Sequence, residues 1–159
     1  MTTYRKIKYL VSVMLGIVLC SVMSGCANWV ASDITKLDIR FTASGDLNPD
    51  ISGRPSPLVV RLYEIKAPSI FENADFYSLY DYGKETLGPD FVGMEELTLK
   101  PGEQLDMKLA LQNDTNYIAI LGAYRDINSA NWKRVFPVSL KNKNRQNIVF
   151  AGSSIDVLE

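Results

Sequence analysis

Most of the chain after residue 35 carries the alternating pattern of β-strands. From Lys36 onward, apolar Leu37, Ile39 and Phe41 alternate with polar residues, which is the period of a strand with one buried face. Further strand patterns lie in residues 58–65, 96–100, 104–111, 117–124, 132–140, 148–150 and 155–158. Pro137 lacks a donor for the sheet, so its strand is expected at an edge or a bulge. About eight strands separated by turn signals predict a mainly β fold, an antiparallel two-sheet β-sandwich.

One segment between the second and third strands changes to helical spacing. Its apolar and aromatic residues recur every three or four positions, namely Phe71, Phe76, Tyr77, Leu79 and Tyr80. This spacing is typical of a short amphipathic helix. Asp75 is suited to cap its start, and Gly83 is suited to follow its end. The sequence therefore predicts a helical insertion that ends near Gly83, followed by an irregular stretch over residues 84–90.

A long loop is predicted between the first two strands, over residues 44–57. It contains two glycines and three prolines, and its apolar Leu47 and Ile51 interrupt an otherwise polar stretch. Both apolar side chains are expected to be exposed. Loops of this length within compact domains are usually functional or disordered, so this segment is a candidate functional site.

The same loop resembles a calcium-binding sequence only at its start. Asp46-Leu47-Asn48-Pro49-Asp50 has the alternating oxygen ligands that open an EF-hand loop. The match then fails, because Ile51 stands where glycine is required and Pro57 stands where a bidentate glutamate is required. A solvated loop is favoured over a calcium site, and no metal is predicted.

The N-terminus has the layout of a secretory signal. Basic Tyr4-Arg5-Lys6-Ile7-Lys8 precedes an uncharged apolar run over residues 9–23, and Ser24-Gly25-Cys26 follows. The run is shorter than the ~20 residues of a membrane-spanning helix. Small residues before a cysteine resemble the lipobox of bacterial lipoproteins. This resemblance implies that the Cys26 thiol is acylated, that the preceding peptide is removed, and that the new amino terminus is acylated as well. Lipoproteins kept in the inner membrane usually carry aspartate after this cysteine. Ala27 stands there instead, so the resemblance implies sorting to the outer membrane.

These features predict three segments along the chain. Residues 1–25 are a lipoprotein signal peptide, residues 26–35 are a lipidated tether, and residues 36–159 are the β-sandwich domain. Because the weakly acidic body does not suit adhesion to anionic lipid through charge, any membrane attachment is expected to come from the acyl chains. Several chains together give a stable attachment.

Composition excludes several functions. The net charge is −1 and becomes more negative when basic Arg5, Lys6 and Lys8 leave with the signal, so nucleic-acid binding is not expected. The chain has no histidine and two cysteines; Cys20 lies in the signal and Cys26 is consumed by lipid. This removes the commonest general base, thiol nucleophiles and the usual zinc ligands. No cofactor is expected.

Other catalytic arrangements find little support in the sequence. Glu95 and Glu96 are adjacent on a strand and therefore point to opposite faces, so they do not form an acid–base pair. There is no Gly-x-Ser-x-Gly elbow, although a Ser–Lys pair remains formally open. The chain is therefore predicted not to be an enzyme.

An aromatic set near the helical segment leaves a second function open. It comprises Tyr63, Phe71, Phe76, Tyr77, Tyr80 and Tyr82. Aromatic residues at helical spacing beside a strand more often pack the helix onto the sandwich than bind a ligand, with Tyr82 expected at the surface. The alternative is a periplasmic lipoprotein that binds a small molecule or glycan on this aromatic surface.

Several internal segments resemble one family. They are Arg54-Pro55-Ser56-Pro57-Leu58-Val59-Val60-Arg61-Leu62-Tyr63-Glu64-Ile65-Lys66, Phe71-Glu72-Asn73-Ala74-Asp75-Phe76-Tyr77-Ser78-Leu79-Tyr80, Leu99-Lys100-Pro101-Gly102-Glu103, and Ala123-Tyr124-Arg125-Asp126 ahead of Trp132. Together they resemble the TssJ family, the outer-membrane lipoproteins of the type VI secretion system. The combination covers nearly the whole chain after the signal.

The resemblance implies a fold and a partner. The fold would be a transthyretin-like sandwich that serves as a scaffold, anchored by lipid in the outer membrane and facing the periplasm. It would bind the periplasmic part of TssM, which works with TssL, and no small-molecule substrate is implied. In the family the loop between the first two strands contacts TssM; here that loop is residues 45–57. The expected contact residues are Asp46, Leu47, Asn48, Pro49, Asp50 and Ile51, with Leu47 and Ile51 as apolar anchors inside a polar rim.

Overall fold

The structure, a computed structural model, describes residues 33–158. Its strands are β1 (Lys36–Ala43), β2 (Leu58–Ile65), β3 (Phe91–Leu99), β4 (Gln104–Ala110), β5 (Tyr117–Gly122), β6 (Lys133–Pro137), β7 (Lys143–Ala151) and β8 (Ser154–Leu158). Between β2 and β3 lie two helices, α1 (Ser69–Asn73) and α2 (Phe76–Leu87), and a short 3₁₀ helix (Gly88–Asp90). Within the described part of the chain, no helix is long and apolar enough to cross a membrane.

The strands form two four-stranded sheets. One has the order β4-β1-β7-β8 and the other β3-β2-β5-β6. All neighbouring strands are antiparallel except β1 and β7, which run parallel from Lys36 beside Lys143 to Ala43 beside Phe150. The predicted two-sheet sandwich is confirmed, and the parallel pair brings together the first strand and a late one. Pro137 ends β6, which is an edge strand as predicted.

The main core lies between the two sheets. It is filled by the inward residues of both sheets, among them Leu37, Ile39, Phe41, Leu58, Val60, Leu62, Ile148, Phe150 and Ile155. β5 is covered on both sides, as its apolar sequence predicts. Ile118 and Ile120 belong to this core, whereas Ala119 and Leu121 belong to a second cluster on the outer face of their sheet.

The second cluster attaches the helices to the β3-β2-β5-β6 sheet. Tyr63 of β2 packs against Phe71 of α1 with ring centroids 5.7 Å apart, and Leu79 of α2 is fully buried beside them. The Tyr63 hydroxyl donates to the Leu79 carbonyl at 2.9 Å. Asp75 caps α2 as predicted, because its side chain accepts from the Ser78 amide at 3.0 Å.

The predicted helix end at Gly83 is wrong. The backbone is non-helical at Tyr82 (φ −132°, ψ 36°), but the helix resumes and continues to Leu87. The predicted irregular stretch over residues 84–90 is therefore helical, first in α2 and then in the 3₁₀ helix. Leu87 is fully buried in the second cluster, and burial of this residue explains why the chain continues past the glycine.

Gly83 has a packing role instead. A Cβ added there would lie 2.7 Å from the Tyr63 hydroxyl and 3.0 Å from its ring. We expect Gly83→Ala to destabilise the domain by about 1–3 kcal/mol, because the buried Tyr63 has to shift. Urea unfolding of the lipid-free domain measures this change.

Gly45 provides the control for this substitution. A Cβ at Gly45 would meet no atom within 4 Å, so Gly45→Ala is expected to change the unfolding free energy by less than ~0.5 kcal/mol. Equal effects of the two substitutions would contradict the close packing of α2 on β2.

Candidate partner-binding loop

The β1–β2 loop, residues 44–57, contributes one side chain to the main core. Leu47 is 0% exposed and packs between the sheets. Its amide donates to the Ser44 carbonyl at 3.3 Å, and its carbonyl accepts from the Ser56 amide at 3.0 Å. The expectation that Leu47 is an exposed apolar anchor is therefore wrong, because this residue fixes the loop to the domain.

Asn48 connects the loop to two other segments. It is buried and has a left-handed backbone (φ 48°), a conformation that asparagine tolerates better than most residues. Its amide donates to the Gly152 carbonyl at 2.8 Å, and its side-chain nitrogen donates to the Pro57 carbonyl at 2.9 Å. Its side-chain oxygen accepts from the Arg125 amide at 2.9 Å. The β1–β2, β5–β6 and β7–β8 connections therefore meet at one asparagine.

The Asp46 carboxylate also accepts hydrogen bonds within the domain. Its carboxylate accepts from the Ser44 hydroxyl and, at 3.3 Å, from the Gly152 amide. The Ser44 hydroxyl lowers the pKa of Asp46 most, and the Gly152 amide lowers it further. Asp46 is thus ionised and holds the base of the loop against the β7–β8 turn.

The tip of the loop is a compact turn closed by Asp50 and Arg54. The Asp50 carboxylate accepts from the Ser52 amide at 2.8 Å, from the Arg54 amide at 3.0 Å and from the Arg54 Nε at 2.8 Å. The Arg54 amide lowers the pKa of Asp50 most, and the Arg54 side chain and the Ser52 amide lower it further. Gly53 supplies the positive φ of 76° that the turn requires. This turn leaves Ile51 at the apex, 106% exposed.

A surface groove lies beside the tip. It has a volume of about 540 Å³ and is lined by Pro49, Asp50, Ile51, Arg125, Asp126 and Ser153. Arg125 is fixed there because its Nε donates to the Ser56 hydroxyl at 3.0 Å. The sequence did not predict Arg125, Asp126 or Ser153 as residues of this site. They come from connections distant in sequence, so only the sheet topology brings them to this surface.

The loop lies at the end of the sandwich opposite residues 33–35. Those residues precede β1, where the Leu111 amide donates to the Thr35 carbonyl at 2.9 Å and the Lys36 amide donates to the Asn142 carbonyl at 3.0 Å. β1 has eight residues and thus separates the two ends by roughly 25 Å, at ~3.3 Å per residue. We call the end around Thr35 the tether end.

The aromatic set is used mainly for packing. Tyr63 and Phe71 are buried. Phe76 lies 5.3 Å from Tyr80 and 5.4 Å from Trp132, measured between ring centroids. Of the set, Tyr77 and Tyr82 are exposed. The interpretation as core packing is confirmed for the buried members, and the predicted exposure of Tyr82 is confirmed as well.

The remaining sequence predictions concern the lipidated cysteine, the adjacent glutamates Glu95 and Glu96, and a metal site. Cys26, the predicted lipidation site, lies outside the described residues. Glu95 pairs with Leu62 and Glu96 pairs with Arg61, so the two carboxylates lie on opposite faces of β3 as predicted. Among residues 33–158, no three acidic, histidine or cysteine side chains are grouped closely enough to hold a metal ion.

Solved structures show which class of protein has this fold. TssJ1 of Pseudomonas aeruginosa, a T6SS lipoprotein, is 33% identical; the match covers 79% of this chain and 95% of that chain, with a TM-score of 0.77. Serratia marcescens Lip, a membrane-bound component of the type VI secretion system, is 20% identical, with coverages of 79% and 97% and a TM-score of 0.74. A chain in the structure of the TssM C-terminal domain (869-1107) from EAEC is 19% identical, with coverages of 78% and 98% and a TM-score of 0.66. The fold is that of β-sandwich lipoproteins of type VI secretion.

The family follows from the sequence match. The family model T6SS-SciN, described as type VI secretion lipoprotein, VasD, EvfM, TssJ, matches residues 35–152. The chain therefore belongs to the TssJ family of type VI secretion lipoproteins, and the resemblance seen in the sequence is confirmed. No curated protein sequence matches the chain significantly.

Proposed function

We propose that this protein is an outer-membrane scaffold lipoprotein that binds the periplasmic part of TssM. The observation that carries the proposal is the β1–β2 loop, which presents Ile51 at the end of the sandwich opposite the tether. A lipid attached at Cys26 would hold the tether end toward the membrane. The loop tip would then point into the periplasm, where a protein partner can reach it.

The loop has the properties of a preorganised binding surface. Its base is fixed by Leu47 and Asn48, and its tip is closed by the Asp50–Arg54 ion pair at 2.8 Å. A loop that is already ordered loses less conformational entropy on binding. An exposed aliphatic side chain within a polar surround is a typical centre for an interface hot spot. The polar surround here is the groove formed with Arg125 and Asp126.

TssM is the partner that the comparisons favour. The chain belongs to the type VI secretion lipoprotein family, and a chain with this fold occurs in a structure of the TssM C-terminal domain. Association with TssL would be indirect, through TssM. The proposed role is assembly of a complex across the envelope, with no catalytic step and no cofactor.

Binding is tested by changing the tip alone. Replacing residues 46–51 together would remove Leu47 from the core and would confuse unfolding with loss of contact. We expect Ile51→Asp to weaken binding of the purified TssM periplasmic segment by at least ~10-fold, because a charge replaces the apolar contact. Isothermal titration calorimetry with the folded domain measures the affinity.

Leu158→Asp is the matched control for this test. Leu158 is also an exposed aliphatic residue. It lies opposite Asn147, at the end of β8 away from the β7–β8 turn that the loop contacts. It should leave the affinity unchanged. Undiminished binding by Ile51→Asp, with normal thermal unfolding, would rule out the loop tip as the contact.

Lipid attachment is tested at the two cysteines. We expect Cys26→Ser to move the protein from the membrane fraction to the soluble periplasmic fraction, because the acyl chains supply the attachment. Cys20→Ser is the control, since Cys20 lies within the predicted signal and the variant should fractionate with membranes. Membrane retention of Cys26→Ser would contradict the proposed anchor.

A further inference from the structure

Two exposed apolar side chains mark the tether end of the sandwich. Ile34 is 48% exposed and immediately precedes the buried Thr35, and Leu140 is 46% exposed in the β6–β7 connection. Leu140 lines a small surface depression together with Asp33, Thr35 and Lys141. Large aliphatic residues therefore lie where the chain leaves the domain toward Cys26.

The backbone around Leu140 is fixed. Lys141 has a left-handed conformation (φ 57°), which is uncommon outside glycine and asparagine. Its amide donates to the Thr35 hydroxyl at 2.9 Å. The Ser139 amide donates to the Asn144 side-chain oxygen at 2.8 Å, and the Asn144 side-chain nitrogen donates to the Ser139 carbonyl at 3.0 Å. These bonds hold Leu140 at the surface.

Ion pairs neutralise charges at the tether end. Lys141 pairs with Asp33 at 3.1 Å, and Lys66 pairs with Asp114 at 3.1 Å. Asp114 lies in the β4–β5 turn, which contacts the same end of the sandwich through the bond between Leu111 and Thr35. Lys143, also at this end, pairs with Asp38 at 2.7 Å. Because these three lysines are each matched by an aspartate, their charges neither repel nor strongly attract a zwitterionic lipid surface. Apolar contact then decides whether this end touches the lipid.

The tether length limits how far this end can be from the membrane. Ile34 follows Cys26 by eight positions, so the two Cα atoms are at most about 29 Å apart, at ~3.6 Å per residue. The loop tip, at the other end of β1, is roughly 25 Å more distant from the tether. Of the two ends of the sandwich formed by residues 33–158, the tether end is the one that lies within this distance of Cys26 and carries exposed aliphatic side chains.

We propose that the tether end of the sandwich rests on the lipid headgroups, with Ile34 and Leu140 inserted among them. This inference depends on the proposed lipid anchor at Cys26. The contact would orient the long axis of the sandwich away from the bilayer. It would thereby hold the β1–β2 loop at a fixed height above the membrane, where its partner can reach it.

Site-directed spin labelling tests the contact. With Cys20 removed and the Cys26 sulfur acylated, a cysteine introduced by Leu140→Cys is the free thiol that takes the nitroxide. The full lipidated chain is reconstituted in vesicles of phosphatidylethanolamine with a minority of phosphatidylglycerol. The accessibility of the label to oxygen and to a water-soluble nickel chelate is then measured. Ile51→Cys is the matched control, and Ile34→Cys is a second label at the tether end.

The outcomes distinguish the contact from the anchor. We expect the labels at positions 140 and 34 to have an oxygen-to-nickel accessibility ratio several-fold above that of the label at position 51. If the protein sediments with the vesicles but all three labels are equally accessible to nickel, the contact is overturned while the anchor stands. If the protein does not sediment with the vesicles, the anchor fails, and the contact that depends on it fails as well.

Discussion

Replacing Leu47 with alanine is expected to lower the free energy of unfolding by about 2–5 kcal/mol, although the residue lies in a loop. Leu47 is 0% exposed and contributes to the main core between the sheets. Alanine leaves a cavity that the two sheets cannot close, since strands on both sides fix their separation. Urea unfolding of the lipid-free domain, followed by circular dichroism, measures the change.

Ile51→Ala in the same loop is the matched control. Ile51 differs from Leu47 in burial, since it is 106% exposed. Its replacement should change the unfolding free energy by less than ~0.5 kcal/mol. A small effect of Leu47→Ala, similar to that of Ile51→Ala, would mean that the base of the loop is not packed in the core.

The contrast between these two residues shows what the sequence could not provide. The loop itself was predictable, because its glycines and prolines interrupt the alternation on both sides. The direction of a side chain within the loop was not. In a strand the period of two assigns each residue to a face, but no such period applies to Leu47 and Ile51, and both were expected to be exposed.

The strands illustrate the opposite case. The alternation in β1 and β4, and the continuous apolar run in β5, predicted which faces are buried, and the structure agrees. Local capping was also predictable at Asp75. The end of α2 was not, because the burial of Leu87 against the sheet outweighs the preference of Gly83 for a position just past a helix end.

The composition of the candidate site depends on long-range topology. β1 and β7 pair in parallel although β7 lies more than 90 positions later in the chain, and this pairing places the Gly152 turn beside the loop. Arg125 lies in the connection after β5, and its amide donates to the Asn48 side chain. A single sequence carries no signal for such pairings, so the groove partners of Ile51 could be found only from the fold.

Replacing Asn48 with alanine is expected to release the loop from the domain. The Pro57 carbonyl and the Arg125 amide would each lose a partner, at ~1–3 kcal/mol for each unpaired group. Alanine would also have to adopt φ 48°, which costs ~1–2 kcal/mol. Water can reach part of this site, so we expect a total loss of about 2–5 kcal/mol in urea unfolding.

Asn48→Gly separates the two contributions. Glycine adopts positive φ freely but also lacks the side-chain amide. The Asn48→Gly variant should therefore lose ~1 kcal/mol less unfolding free energy than Asn48→Ala. Ile51 is unchanged in both variants. If the loop conformation positions Ile51 for the partner, both variants should nevertheless bind the TssM segment more weakly at temperatures where they remain folded. Full stability of Asn48→Ala would show that the three connections do not depend on this asparagine. Full stability with weakened binding would instead place the effect of Asn48 on the conformation of the loop alone.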